Sequence, residues 1–201
     1  MTGPRLGYVP AAGGSGAHAV THQAGGSDEL ILPGGHMLAG RAETLPRYAA
    51  GASITLASGT LLLGYVTAPV NLSATSIVVG SASAASATVT LGRVGVWSVD
   101  GSGNLTLLQG SVNDTALLGS VSTLYTKTIA AAALTRGSRY AVGVLIVGST
   151  AGSVRGASGI SGITSLAPVM AAAVTGQTDL PASVAVGSLT TAGNTPWFGL
   201  A

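Results

Sequence analysis

Short segments rich in valine, isoleucine, leucine and threonine recur from Ala52 onward every eight to fifteen residues, with turn-forming residues between them. Such segments are typical of the strands of an all-β sandwich. We expect eight strands, which fit a jelly-roll-like antiparallel β-sandwich. The predicted strands are residues 54–57, 60–66, 75–79, 87–99, 105–109, 123–129, 140–147 and 183–186.

Local signals add three expectations to this strand pattern. The link Asp100-Gly101-Ser102-Gly103-Asn104 joins two alternating runs and is a strong hairpin signal. Residues 130–134 are interpreted as a brief helical turn. Residues 148–166 are interpreted as a long loop rich in glycine and serine.

The first fifty residues differ in character from the rest. They hold six of the fourteen charged residues and all three histidines, and strand periodicity is absent there. Runs such as residues 11–16 and 33–35 cannot bury an apolar face of their own. We therefore divide the chain into an extended anchoring arm, residues 1–50, and a β-sandwich domain, residues 51–201. The arm is expected to become ordered against a partner.

Charge is scarce, and its scarcity excludes some classes of protein. Only 7% of the residues are charged and the net charge is +2, which fits neither a disordered chain nor a nucleic-acid binder. Residues 51–201 contain three acidic and five basic residues, too few to cover a monomeric sandwich with mixed charge. Burial between copies would solve this problem, although serine and threonine hydroxyls offer an alternative source of polarity. We expect a homotrimer.

The mean hydropathy of +0.57 raises the question of a membrane span. Residues 48–92 carry no charge, but glycine, serine, proline and asparagine divide them into short runs, well below the roughly 20 residues of a spanning helix. The N-terminus lacks a secretion signal pattern. We expect a soluble chain made in a cytoplasm, with no membrane partner. It contains no cysteine, which excludes disulfides and thiol catalysis.

Several segments carry a resemblance to a known class of protein. Residues 13–30 contain His-x-x-x-His-x-x-Gly-Gly-x-Asp, formed by His18, His22, Gly25, Gly26 and Asp28. This pattern resembles a segment of tail-fibre and other virion proteins of tailed bacteriophages. Residues 93–100, 139–144 and 176–183 resemble a sandwich domain of minor tail and fibre proteins from phages of actinobacteria.

The resemblance implies a trimeric virion component on the particle exterior, made in the host cytoplasm. We expect a structural accessory protein that decorates or cements the capsid and is anchored by its arm to the major capsid protein or another virion protein. The alternative is a tail-fibre or minor tail protein that binds host cell-wall glycan. The residues expected to anchor the arm are Arg5, His18, His22, Asp28, Arg41 and Arg47.

The sequence contains no clear motif for catalysis or for metal binding. His18 and His22 would share a face only in a helix, and no cysteine accompanies them. No Gly-x-Ser-x-Gly motif occurs, and all histidines lie in the arm. Asp100 and Asp114 fit turns in which aspartate bonds its own backbone. We expect no catalytic residue, no metal and no cofactor.

Four aromatic residues are candidates for contact with a glycan or another subunit: Trp97, Tyr125, Tyr140 and Trp197. Flat aromatic faces beside polar groups suit such contacts. Trp97 lies in an alternating strand pattern, so core packing is the simpler role for it. Trp197 and Phe198 are interpreted as sealing the sandwich or a subunit contact.

Overall fold

A computed structural model describes residues 41–159 and 166–201 and gives them an all-β fold of antiparallel strands. Two 3₁₀ turns, Arg47–Ala49 and Val186–Ser188, interrupt the strands. The strands are β1 Ala42–Glu43, β2 Ala52–Thr55, β3 Leu61–Thr67, β4 Leu72–Gly80, β5 Ala87–Val99, β6 Leu105–Gly110, β7 Leu124–Leu134, β8 Arg139–Thr150, β9 Ser153–Ser158, β10 Ala171–Val174, β11 Ser183–Val184, β12 Thr190–Thr191, β13 Asn194–Pro196 and β14 Phe198–Leu200.

The strands form three sheets. A four-stranded sheet has the order β1-β14-β4-β7, and a seven-stranded sheet has the order β11-β6-β5-β8-β3-β10-β12. A three-stranded sheet, β13-β9-β2, lies at the side. The arrangement is consistent with a β-sandwich, and the antiparallel sheets include a curled half-barrel.

The central strands β3 and β8 of the seven-stranded sheet are buried on both faces. In β8, Val142 and Val144 belong to the main core, whereas Ala141 and Leu145 belong to a second cluster on the opposite face. Because neighbouring strand residues point to opposite faces, a strand covered on both sides needs an unbroken apolar run. The continuous hydrophobic stretches of β3 and β8 follow from this two-sided burial.

A loop between β6 and β7, residues 111–123, closes the side of the main core. Its Leu117 and Leu118 are fully buried. Ser86 Oγ donates a hydrogen bond of 2.7 Å to the Leu117 carbonyl, and Ser81 Oγ donates one of 2.6 Å to the Ser120 carbonyl. Polar side chains thus fix the backbone of this loop while two leucines supply its packing.

The structure corrects three local predictions. Residues 130–134 are not a helical turn, because they form the second half of β7 with Ile129, Ala132 and Leu134 facing the core. Residues 148–166 are not one loop, because β8 continues to Thr150 and β9 occupies Ser153–Ser158. The strand expected at 183–186 ends at Val184 and is followed by a 3₁₀ turn.

The last ten residues of the predicted arm, residues 41–50, are integrated with the sandwich. Strand β1 pairs with β14, and Ala42 and Leu45 are buried. Thr44 Oγ1 donates to the Pro196 carbonyl at 2.8 Å and accepts from the Phe198 N–H at 2.9 Å. The remaining arm residues, 1–40, lie outside the described part of the chain.

Within the described ranges, no helix combines the length and apolar character needed to cross a membrane.

Candidate functional site

A cleft of about 320 Å³ opens on the outer face of the four-stranded sheet. We call it the arginine cleft, because three of its lining side chains are arginines. It is lined by Arg41, Glu43, Arg47, Ala50, Val78, Gly80, Leu124, Arg155, Trp197, Gly199, Leu200 and Ala201. Segments from both ends of the described chain therefore meet there, on β1 and β14, with β4, β7 and β9 completing the wall.

Two glycines keep the floor of the arginine cleft low. Gly199 pairs with Val78, and a Cβ on Gly199 would lie 3.6 Å from the Trp197 ring. A Cβ on Gly80 would lie 3.3 Å from Arg155 Cγ. Since neither residue has a side chain, the floor is formed by backbone, by the Val78 side chain and by the Trp197 ring edge. Leu124, whose surface is 69% exposed, adds an apolar wall.

Glu43 is the acidic residue among the lining side chains of the cleft, and both of its carboxylate oxygens accept hydrogen bonds. Its side chain is only 3% exposed and forms an ion pair with Arg47, whose Nε lies 2.6 Å from Oε1. Trp197 Nε1 donates to Oε2 at 3.3 Å. These contacts orient the indole and place one arginine against the only carboxylate side chain that lines the cleft.

Arg41 and Arg155 complete the positive rim. Arg155 donates long hydrogen bonds to the Gly51 carbonyl at 3.5 Å and to Ser122 Oγ at 3.3 Å. Arg41 is exposed. Among the described residues, neither arginine forms an ion pair with a carboxylate. With Glu43 matched to Arg47, the cleft keeps Arg41 and Arg155, neither in an ion pair among the described residues, above an apolar floor.

The predicted site residues fall into three groups. Arg41, Arg47 and Trp197 meet in the arginine cleft. Tyr125 follows Leu124 on β7, and its hydroxyl accepts from the Ser120 N–H at 2.7 Å. The other predicted residues are the buried Trp97 and Tyr140 and, outside the described part of the chain, Arg5, His18, His22 and Asp28.

Trp97 and Tyr140 are interior residues, and their environments explain why. Trp97 is fully buried in the second cluster and donates from Nε1 to the Pro181 carbonyl at 3.0 Å. Tyr140 is 5% exposed, and its hydroxyl accepts from the Thr135 N–H at 2.8 Å. Core packing, the simpler role inferred for Trp97, is confirmed, and neither ring presents a face to a ligand.

Sequence reasoning missed Glu43 and Arg155 as parts of the cleft. Glu43 falls within the predicted arm, and Arg155 falls within the predicted loop of residues 148–166, part of which is β9. The available signal for Arg155 was its isolation, because it is the one charged residue between Arg139 and Asp179. Such isolation identifies a residue to examine, but it does not locate its neighbours.

The carboxylates Asp100 and Asp114 lie in turns, as predicted. Asp100 Oδ1 accepts from the N–H groups of Ser102 and Asn104, both at 2.8 Å. Asp114 Oδ1 accepts from the Ala116 N–H at 2.9 Å, and Lys127 pairs with its other oxygen. Among the described residues, no group of three or more histidine, cysteine, aspartate or glutamate side chains is placed to hold a metal ion.

Tyr65 and Arg139 form a second polar contact, between the last residues of β3 and the start of β8 in the seven-stranded sheet. The Arg139 guanidinium lies 4.0 Å from the Tyr65 ring centroid and donates to the Val169 carbonyl. Burial raises the pKa of Tyr65, and the nearby Arg139 charge opposes that rise. The contact attaches residues 168–170 to β3 and β8, so its role is structural.

Comparison with protein-family models and with curated proteins gives no match for this chain.

Proposed function

We propose that this chain is a structural accessory protein of a tailed bacteriophage virion that decorates the exterior of the capsid as a homotrimer. Its arm would bind the major capsid protein or another virion protein. The sequence resemblance of residues 13–30 and of the sandwich segments supports the class of protein. The observation that favours an assembling protein is the uncharged exposed surface of β4 and β7, on the outer face of the four-stranded sheet.

The outer face of this sheet presents small, uncharged side chains over two long strands. The exposed residues of β4 and β7 are Ser73, Thr75, Leu124, Thr126, Thr128, Ala130, Ala131 and Ala133. The charged residue of these strands, Lys127, pairs with Asp114 instead. The mostly small side chains of these strands let another subunit approach closely, which supports assembly through this surface.

Strand β7 also provides an edge. In the four-stranded sheet it pairs with β4 on one side, and no further strand pairs with it among the described residues. Soluble proteins commonly protect such edges with charge, proline or a covering element. An eleven-residue strand with one lysine has little of this protection, which is consistent with an edge that is covered in an assembly.

Two measurements test the proposal. Native mass spectrometry of the purified chain should give three times the 19.3 kDa chain mass. Quantitative proteomics and cryo-electron microscopy of purified particles should find a copy number comparable with that of the major capsid protein, on the head. A few copies at the tail tip would contradict capsid decoration.

The second candidate function is a tail-fibre or minor tail protein that binds host cell-wall glycan. The arginine cleft favours it, because it combines an apolar floor with Trp197, Glu43 and arginine donors, which is the composition of many small-ligand sites. Free protein added to host cells should then reduce phage adsorption. Unchanged adsorption at saturating protein would contradict this candidate.

A further inference from the structure

We propose that the arginine cleft is a binding site for an acidic saccharide, a sugar ring that bears a carboxylate. The inference rests on the second candidate function for the biological source of the ligand. Its physical basis is the cleft alone.

The charge of the cleft selects an anion. Glu43 pairs with Arg47, whereas Arg41 and Arg155 line the cleft and form no ion pair with a carboxylate side chain among the described residues. Arginine binds a carboxylate through two parallel N–H donors, and such charge-assisted bonds are stronger than neutral ones. The long contacts of Arg155 to Gly51 and Ser122 leave guanidinium donors for a ligand.

The floor of the cleft favours a ligand that has a ring as well as a negative charge. Gly80 and Gly199 leave the backbone uncovered, and Leu124 and the Trp197 edge supply apolar contact. A free inorganic anion would gain nothing from these groups. A sugar ring would pack its apolar face on them while its carboxylate reaches the arginines.

Size and topology favour a saccharide over a peptide. A volume of about 320 Å³ is at the small end of the range of ligand pockets, roughly 300–1,000 Å³. Extended peptides usually bind by adding a strand to a free sheet edge. The floor strands β14 and β4 both lie inside the sheet, between the edge strands β1 and β7, so a peptide could add a strand beside the walls of the cleft but not on its floor.

The indole N–H signals of the two tryptophans report binding in the cleft and provide an internal control. Trp197 Nε1 donates to Glu43 in the cleft, whereas Trp97 Nε1 donates to Pro181 in the second cluster. In a ¹⁵N-labelled full-length chain, a Trp197→Phe variant assigns the two indole N–H signals. Titration with D-glucuronate should shift the Trp197 signal and leave the Trp97 signal in place.

Three control ligands test which features of the ligand matter. D-glucose, inorganic phosphate and the dipeptide N-acetyl-Asp-Glu-amide should each bind at least about tenfold more weakly than D-glucuronate, a difference of about 1.4 kcal/mol.

Variants identify the residues that recognise the carboxylate. Arg155→Ala and, independently, the exposed Arg41→Ala should each raise the glucuronate dissociation constant about tenfold, as the loss of a charge-assisted contact requires. Arg136→Ala removes the same charge beyond the far end of β4, whose Leu72 lies eight residues from Gly80, and should leave the constant unchanged.

The outcomes separate this inference from the proposed functions. Equal binding of glucose or phosphate, tighter binding of the dipeptide, or wild-type binding by both the Arg41 and Arg155 variants would each overturn it. No Trp197 shift with glucuronate would overturn it as well, whatever the adsorption result. Glucuronate binding without competition for adsorption would uphold the cleft as a saccharide site and contradict the glycan-adhesin candidate.

Discussion

At the scale of single residues, Gly95 shows how tightly the second cluster is packed. Gly95 lies in β5, two residues before the buried Trp97. A Cβ at this position would stand 2.7 Å from Trp97 Cη2 and 3.1 Å from Leu180 Cδ1. The indole cannot withdraw easily, because its N–H is bonded to the Pro181 carbonyl. The absent side chain of Gly95 is therefore part of how the tryptophan fits.

We expect Gly95→Ala to lower the free energy of unfolding by about 2–3 kcal/mol, the usual cost of overpacking a core. Urea unfolding followed by tryptophan fluorescence measures this change. Gly101→Ala is the control, since a Cβ there meets nothing within 4 Å, and it should change stability by less than about 0.5 kcal/mol. Equal stability of the two variants would refute this account of the packing.

Three aspartates with lowered pKa values make the free energy of unfolding depend on pH in the acid range. The side-chain amide of Asn104, with its N–H, lowers the pKa of Asp100. The Lys127 ammonium lowers the pKa of Asp114 through a hydrogen bond. Partial burial alone would raise the pKa of Asp179, but the Leu180 N–H and Arg93 outweigh it and lower that pKa. Each folded carboxylate thus holds its proton less tightly than the unfolded one.

A group with a lowered folded pKa stabilises the fold above its unfolded pKa, near 3.9 for aspartate, and loses that contribution as the pH falls through the folded value. We therefore expect the free energy of unfolding to decline below about pH 4. Urea titrations at a series of pH values measure the decline. The Asp100→Asn, Asp114→Asn, Asp179→Asn triple variant should show a shallower slope, and an unchanged slope would assign the acid response to other groups.

At the scale of elements, residues 111–123 act as a core element despite having no regular secondary structure. We expect Leu117→Ala to lower the free energy of unfolding by about 2–4 kcal/mol, because Leu117 is fully buried and its truncation leaves a cavity. Val121→Ala, in the same loop at 50% exposure, should change it by less than about 0.5 kcal/mol. Thermal and urea unfolding check both values. A loss below about 0.5 kcal/mol in both variants would mean that the loop stabilises the fold through its backbone and not through the Leu117 side chain.

Strands with strong alternation were predictable, and those without it were not. Strand β5 occupies the predicted residues 87–99, and its turn to β6 is the predicted hairpin. Residues 130–134 of β7 are mostly alanine, which has low strand preference, so only pairing with β4 makes them a strand. Ser153–Ser158 contains one valine beside glycine and alanine, which are depleted in strands, so it resembles a loop. The arginine cleft was not predictable, because β1 and β14 meet through long-range pairing that local patterns do not encode.

At the scale of the whole molecule, the fourteen charges explain where polar interactions can act. Among the described residues, Asp114 pairs with Lys127, Asp179 with Arg93 and Glu43 with Arg47. These pairs fix a loop, a turn and the cleft wall, and away from the arginine cleft they leave the β4 and β7 part of the outer face without exposed charge. Serine and threonine hydroxyls must supply the polarity of that face wherever it is not covered by another subunit.

Placing charge on this face tests the assembly directly. We expect the Thr126→Asp, Thr128→Asp double variant to lose the trimer, because symmetry brings the added carboxylates of all subunits to equivalent places in the interface. Native mass spectrometry should then find the single-chain mass of 19.3 kDa, with the circular dichroism of the wild type retained. A Thr106→Asp, Thr175→Asp variant adds the same charge at exposed positions elsewhere and should remain trimeric. A wild-type chain that stays monomeric at every concentration, or a Thr126/Thr128 variant that still forms trimers, would exclude the outer face as the subunit interface.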